Sequence, residues 1–158
     1  MKKMILAGMS ALIITGSSDE MDRRGEPYVE IMEEKTTFGL SIVDTARMMD
    51  IEINKLKVNE DQVIVYFKLD NEYSSIPVSW DSTKSNIVID NTKLIATDSS
   101  LNEKTDSDVV QEGKITFDAE GKDKIFNEGK EVTFNLGVFE IEGDFPESRD
   151  ITTSVILD

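Results

Sequence analysis

Apolar and polar residues alternate along most of the chain from Thr36 onward. The clearest segment is 63–69, where every second residue is apolar: Val63, Val65, Phe67 and Leu69. A period of two places those side chains on one face of a β-strand. Similar alternation begins near Phe38, Ile51, Lys114 and Glu131. Polar clusters separate these runs, so we expect about eight or nine short strands and no long helix after the N-terminal segment.

This spacing of short strands predicts an all-β fold, an antiparallel sandwich of two packed sheets. Its predicted core consists of Val63, Val65, Phe67, Trp80, Ile89, Phe117, Val132, Phe134 and Leu136. The alternation slips by one residue at Asn54-Lys55, which indicates a bulge. It changes parity again near Gly137, which permits such a switch. Segment 44–50 fits either a helical turn or a bent crossover.

The N-terminus predicts three parts of different character. Residues 1–16 combine the basic start Met1-Lys2-Lys3 with an apolar stretch and a small-residue exit, as in a secretion signal peptide. Residues 17–35 are polar and charged and predict a flexible leader. Residues 36–158 are long enough for one sandwich domain. The apolar stretch is shorter than the about 20 residues that a membrane-spanning helix needs.

The charge is strongly negative, with 17 basic and 32 acidic residues and a net charge of −15. Nucleic acids bind clustered Lys and Arg, so this surface argues against a nucleic-acid partner. An acidic surface suits solubility, cations or basic partners.

Cysteine and histidine are both absent from the sequence. The fold therefore has no disulfide, and neither a thiolate nor an imidazole is available for catalysis. A serine nucleophile would depend on lysine, but Ser82-Thr83-Lys84 lacks the known motif contexts. Trp80, the only tryptophan, fits a core strand better than a sugar platform. We therefore expect no catalytic residues, no cofactor and no enzyme.

Four acidic side chains in polar loops are the candidate metal ligands: Asp106, Asp108, Asp118 and Asp123. Calcium takes six to eight oxygen ligands, so such loops could contribute to a site. The spacing does not match the helix-loop-helix calcium pattern, and solvated turn residues are the alternative interpretation.

The segment Ile14-Thr15-Gly16-Ser17 resembles the lipobox of bacterial lipoproteins. Ser17 stands at the lipidation position, where the lipobox has a cysteine that accepts the lipid. A serine at this position, whether engineered or diverged, cannot accept the lipid, so the chain as written cannot be anchored in this way.

Three further segments resemble an immunoglobulin-like domain of unknown function found in Gram-positive surface lipoproteins: Val63–Asn71, Ile76–Trp80 and Gly113–Phe117. The outline is also similar to extracellular sandwich domains of membrane-bound anti-sigma proteins. The family has Pro-Gly before its later strand, whereas this chain has Glu112-Gly113. The resemblance implies an immunoglobulin-like antiparallel β-sandwich after a signal peptide and leader, and it implies no catalytic residues.

The sequence thus predicts a non-catalytic, extracytoplasmic module, secreted or tethered to the outer face of the membrane, that recognises a protein or cell-envelope component. Loops or sheet edges would make the contact, and the edges to consider first are Ile76–Val78 and the C-terminal strand. The alternative is a calcium or small-ligand binding protein that uses its acidic loops.

Overall fold

A computed structural model describes residues 36–158, which contain ten β-strands, two short 3-10 turns and no α-helix. The strands are β1 (Thr36–Ala46), β2 (Met49–Val58), β3 (Gln62–Asp70), β4 (Val78–Trp80), β5 (Asn86–Ile89), β6 (Thr92–Ser99), β7 (Lys104–Thr105), β8 (Val110–Asp118), β9 (Glu131–Ile141) and β10 (Glu147–Ile156). The predicted signal peptide 1–16, the leader 17–35 and Ser17 lie outside the described residues. Within residues 36–158, no helix is long and apolar enough to cross a bilayer.

The strands form two antiparallel sheets. Sheet A has the order β1-β2-β3-β8, followed by the last residues of β6. Sheet B is built around β9, which pairs with β10 on one side and with β5 and β4 in succession on the other. The first half of β6 pairs with β5, and β7 pairs with β4.

Strand β6 belongs to both sheets. Residues 92–95 pair with β5, and residues 96–99 pair with β8 after a register shift between Ala96 and Asp98. The shift turns the strand from one layer into the other. The predicted all-β antiparallel sandwich is therefore confirmed, with its two layers joined along one side.

One hydrophobic core lies between the layers, and all nine predicted core residues are buried in it. Trp80 stands at the centre of the aromatic contacts. Its ring stacks on Phe139 of the same sheet, with centroids 4.6 Å apart, and meets Phe67 of sheet A edge-on at 5.7 Å. Its indole N–H donates a hydrogen bond of 2.7 Å to the carbonyl oxygen of Leu136. Trp80 thus packs against both layers with its only polar atom satisfied.

Both predicted irregularities occur, while segment 44–50 differs from expectation. The register of β2 against β3 shifts between Ile53 and Lys55, which confirms the bulge. Gly137 has a φ of 91°, and the buried positions change parity there from Leu136 to Phe139. Segment 44–50 is neither a helical turn nor a crossover. It is a tight hairpin turn between β1 and β2, with Arg47 in the left-handed region at a φ of 60°.

Candidate functional site

Four chain connections meet at one end of the sandwich: the turn 47–48 and the loops 71–77, 106–109 and 142–146. The strand registers place them there. Asp70 pairs with both Asp50 and Val110, so the first three connections adjoin. Ile141 pairs with both Val78 and Glu147, which adds the fourth. We call this surface the loop end.

The loop end carries most of the large apolar side chains that are exposed. Nine such side chains are exposed among residues 36–158, and five of them lie at this end: Met48, Tyr73, Val109, Val110 and Phe145. Tyr73 is 81% exposed and Phe145 is 80% exposed. Single exposed apolar residues are ordinary on a protein surface, whereas a group of them indicates an interaction site.

Contacts between the loops hold these side chains in one region. The backbone N–H of Glu142 donates to the carbonyl oxygen of Pro77 at 3.2 Å. A Cβ atom at Gly143 would lie 3.6 Å from the side chain of Ile76, so loops 71–77 and 142–146 touch. Arg47 reaches Glu147 at 3.5 Å and ties the turn 47–48 to the start of β10.

Asn71 is the buried anchor of the loop end. Its side-chain amide nitrogen donates to the carbonyl oxygens of Ile76, Thr105 and Asp106 at 2.9, 3.3 and 3.1 Å. Its backbone N–H donates to Val109, and its carbonyl oxygen accepts from Ser74 and Asp108. One fully buried residue therefore fixes loops 71–77 and 106–109 to each other. The amide Oδ1 is buried without a hydrogen-bond partner among the described residues.

The charge of the loop end is mainly negative. Its loops contain five acidic residues: Glu72, Asp106, Asp108, Glu142 and Asp144. The nearby Lys104 lies 3.7 Å from Asp106 and 4.0 Å from Glu142, so its charge is shared between two carboxylates. The negative charge of Glu72, together with a hydrogen bond to it, raises the pKa of the Tyr73 hydroxyl above its usual value. Exposed aromatic rings beside carboxylates suit a partner with apolar and basic groups.

The four candidate calcium ligands lie at opposite ends of the molecule. Asp106 and Asp108 are exposed at the loop end, whereas Asp118 ends β8 at the far end and Asp123 lies in the turn that follows. Asp106 pairs with Lys104, and Asp123 lies 3.8 Å from Lys124. Among residues 36–158, no group of three or more acidic side chains is arranged to hold a metal ion.

Ser82 and Trp80 are both buried in structural roles. The hydroxyl of Ser82 is 2.6 Å from that of Ser99, inside the fold. Trp80 is 3% exposed and presents no platform to a sugar.

Of the two segments predicted to be sheet edges, one prediction is confirmed and the other is wrong. The C-terminal strand β10 pairs only with β9 among the described strands, which makes it an edge strand within residues 36–158. Segment Ile76–Val78 is not an edge, because β4 starts at Val78 and lies between β9 and β7. The two-residue strand β7, which sequence patterns did not indicate, pairs with Val78 and Ser79.

Sequence reasoning did not single out Tyr73 and Phe145. Each is an isolated aromatic residue in a short polar connection, Asp70–Ser75 and Glu142–Pro146. An aromatic residue flanked by carboxylates and turn residues could have been noticed as a surface feature. Only the strand order shows that the two connections adjoin.

Comparison with protein-family models, with curated proteins and with solved structures found no match to this chain.

Proposed function

We propose that this chain is a non-catalytic, extracytoplasmic binding module of the surface-lipoprotein type, which recognises a protein partner through its loop end. The observation that carries the proposal is the pair of exposed aromatic residues Tyr73 and Phe145 on adjoining loops. Aromatic side chains are enriched at the energetic centres of protein interfaces. The buried amide of Asn71 fixes one of these loops in advance, which lowers the entropy lost on binding.

The direction of β1 supports a tethered arrangement. β1 runs toward the loop end, because its turn into β2 lies there. Thr36 therefore lies at the far end, the end at which β10 also finishes, at Ile156. A tether that precedes Thr36 would join the sandwich at the end opposite the aromatic loops. The absence of Cys and His from the sequence supports recognition over turnover.

The recognition proposal is tested with a double variant, Tyr73→Ser with Phe145→Ser. Its control is Val43→Ser with Ile95→Ser, which removes two exposed apolar side chains, 62% and 61% exposed, from strands β1 and β6. Retention of the purified proteins on intact cell surfaces is measured as a binding isotherm. We expect the loop variant to bind at least about tenfold more weakly and the control to bind like the parent. Equal binding by all three proteins, or equal loss in both variants, would refute the loop end as the binding surface.

The location is tested separately by cell fractionation. The full chain is expressed in a Gram-positive host beside a version without residues 1–16. We expect only the full chain outside the cytosol. Retention of both versions in the cytosol would contradict export, independently of the binding result.

A further inference from the structure

Sheet A carries a cluster of lysines on its solvent face that is separate from the loop end. Lys55 of β2 lies directly opposite Tyr66 of β3, and Tyr66 lies opposite Lys114 of β8. Lys57 is two positions farther along β2 on the same face. Directly opposite residues in a sheet have Cβ atoms about 5 Å apart. We call Lys55, Lys57, Tyr66 and Lys114 the lysine–tyrosine face.

Two of these ammonium groups converge on one ring. The Nζ atom of Lys55 is 4.5 Å from the centroid of the Tyr66 ring, and that of Lys57 is 5.5 Å away. The ring attracts both cations, although the two positive charges repel each other. The bulge between Ile53 and Lys55 shifts the register of β2 at this point, which sets Lys55 opposite Tyr66.

Within residues 36–158, no carboxylate lies within ion-pair distance of the three lysines of the face. The pairs that do form use Arg47, Lys104, Lys124, Lys130 and Arg149. Residues 36–158 carry 12 basic and 25 acidic side chains, and seven of the basic ones, these three among them, form no ion pair with a described carboxylate. The three lysines are distinguished by their position, because they lie on one face of sheet A around Tyr66 and together offer positive charge to a ligand.

A groove of about 290 Å³ opens beside the ring of Tyr66. Asn54, Ser100 and Lys114 contribute hydrogen-bond donors to its lining, and Gly113 contributes no side chain. Glu112 also borders the groove and contributes one carboxylate, and Lys68 lies across the strands opposite both Glu112 and Glu52. The volume is at the lower limit of small-ligand pockets and suits one sugar-sized or amino-acid-sized unit.

We propose that the lysine–tyrosine face binds a ligand that carries phosphate or carboxylate groups. One unit of the ligand occupies the groove beside Tyr66, and Lys55, Lys57 and Lys114 bind its negative charges. The net charge of the whole protein opposes this only weakly at physiological salt, because charges farther away than about 8 Å are largely screened. The ligand is either a small anion or one repeat of an anionic polymer, since both present the same groups.

The site is tested by NMR titration of the purified protein with glycerol phosphate, polyphosphate and poly-glutamate. We expect chemical-shift changes at Tyr66, Ser100 and Lys114 and little change at the loop end. Binding of glycerol phosphate would assign a small anion, and binding of only the polymers would assign a polymer repeat. No change at the lysine–tyrosine face with any of the three probes would overturn the proposal.

Charge-matched variants distinguish this site from general attraction. Lys55→Gln with Lys57→Gln removes two positive charges from the face, and Lys93→Gln with Lys122→Gln removes two from exposed positions elsewhere. We expect the first variant to bind the best probe at least about tenfold more weakly and the second to bind within about twofold of the parent. Equal weakening in both variants would overturn the site. These results are independent of the loop end, whose residues are unchanged.

Discussion

At the scale of single residues, Asn71 is the residue whose hydrogen bonds hold the loops of the loop end together. Its amide donates to three carbonyl oxygens from two loops, and the residue is fully buried. A carbonyl oxygen that loses its donor inside the fold costs about 1–3 kcal/mol. The loop end therefore depends on a residue that contributes no surface to it.

We expect Asn71→Asp to lower the free energy of unfolding by at least about 3 kcal/mol, because a carboxylate would face three carbonyl oxygens. Urea unfolding followed by circular dichroism measures the change. Asn102→Ala is the control, since Asn102 is exposed and only its backbone is hydrogen-bonded. A change below about 1 kcal/mol in Asn71→Asp would show that the loops do not need this amide.

Gly113 is a second residue whose identity the structure explains. A Cβ atom there would lie 2.7 Å from Oγ of Ser100 and 2.9 Å from Cδ2 of Leu101. Ser100 is held in place, because its hydroxyl oxygen accepts from the N–H of Lys114 at 2.9 Å. The close approach of segment 100–101 to β8 thus requires glycine.

We expect Gly113→Ala to destabilise the protein by about 1–3 kcal/mol through this overlap. Gly39→Ala is the matched control, because Gly39 is in β1 with no atom within 4 Å of the new methyl group. That control should be neutral or slightly stabilising. Urea unfolding of both variants gives the comparison, and equal stability in the two would contradict the packing explanation.

At the scale of elements, the stability of the turn between β4 and β5 depends on pH through Asp81. Asp81 caps the 3-10 turn Ser82–Lys84 and accepts from the hydroxyl of Thr83 at 2.5 Å and from its N–H at 3.2 Å. The hydroxyl bond is the main reason that the pKa of Asp81 lies below its usual value. Since the folded-state pKa is depressed, this stabilisation is complete above about pH 4. It is lost as the pH falls through the folded-state pKa.

We expect Thr83→Val to raise the pKa of Asp81 toward the ordinary aspartate value, because the hydroxyl donor is removed. NMR titration of the Asp81 carboxyl carbon between about pH 2 and pH 6 measures it. Thr97→Val serves as control, since the Thr97 hydroxyl contacts the carbonyl oxygen of Thr116 and not Asp81. An unchanged titration in Thr83→Val would assign the shift to the backbone bond instead.

Trp80 connects the two layers, because its ring contacts Phe67 of sheet A and Phe139 of sheet B. Trp80→Phe removes the donor to Leu136 and leaves space between Phe67 and Phe139. We expect a loss of about 2–4 kcal/mol in the free energy of unfolding. Chemical unfolding followed by circular dichroism measures it. Phe145→Ala removes an exposed ring as the control and should change stability by less than about 0.5 kcal/mol.

The strands were predictable from sequence to the extent that one face of each is buried. Segment 63–69 alternates without interruption and lies within β3, and the alternation that begins near Glu131 starts where β9 starts. The start of the C-terminal strand carries no such signal, because β10 begins at Glu147 with four exposed residues and so shows no alternation there. An edge strand without a buried face carries no periodic signal.

The loop end and the lysine–tyrosine face were not predictable in the same way. Tyr73 and Phe145 are 72 positions apart in the chain, and Lys55 and Lys114 are 59 positions apart. Their proximity depends on which strands pair, and alternation within a strand does not determine its neighbours. The net charge also does not show where charges lie, so the excess of acidic residues gave no indication of a local group of lysines.

At the scale of the whole molecule, the excess of acidic side chains acts against folding. Residues 36–158 have a net charge of −13, and compaction brings like charges together. Their ion pairs are few, and the partners are largely exposed. Exposed pairs contribute little, so repulsion should outweigh them.

We expect the midpoint of thermal unfolding to rise between about 20 mM and about 500 mM sodium chloride, because salt screens this repulsion. Differential scanning calorimetry measures it. Potassium chloride at the same concentration should give the same rise, which separates screening from specific ion binding. A midpoint that falls with salt would show that the exposed ion pairs dominate.

The placement of both chain ends of the sandwich at the far end has a mechanical consequence. A pull between residues 36 and 156 would peel the outer strands β1 and β10 away one bond at a time, which resists force poorly. A pull between the loop end and residue 36 runs along the strands and loads many interstrand bonds at once in shear. A tethered domain that holds its partner by the loops would therefore bear tension along its mechanically stronger axis.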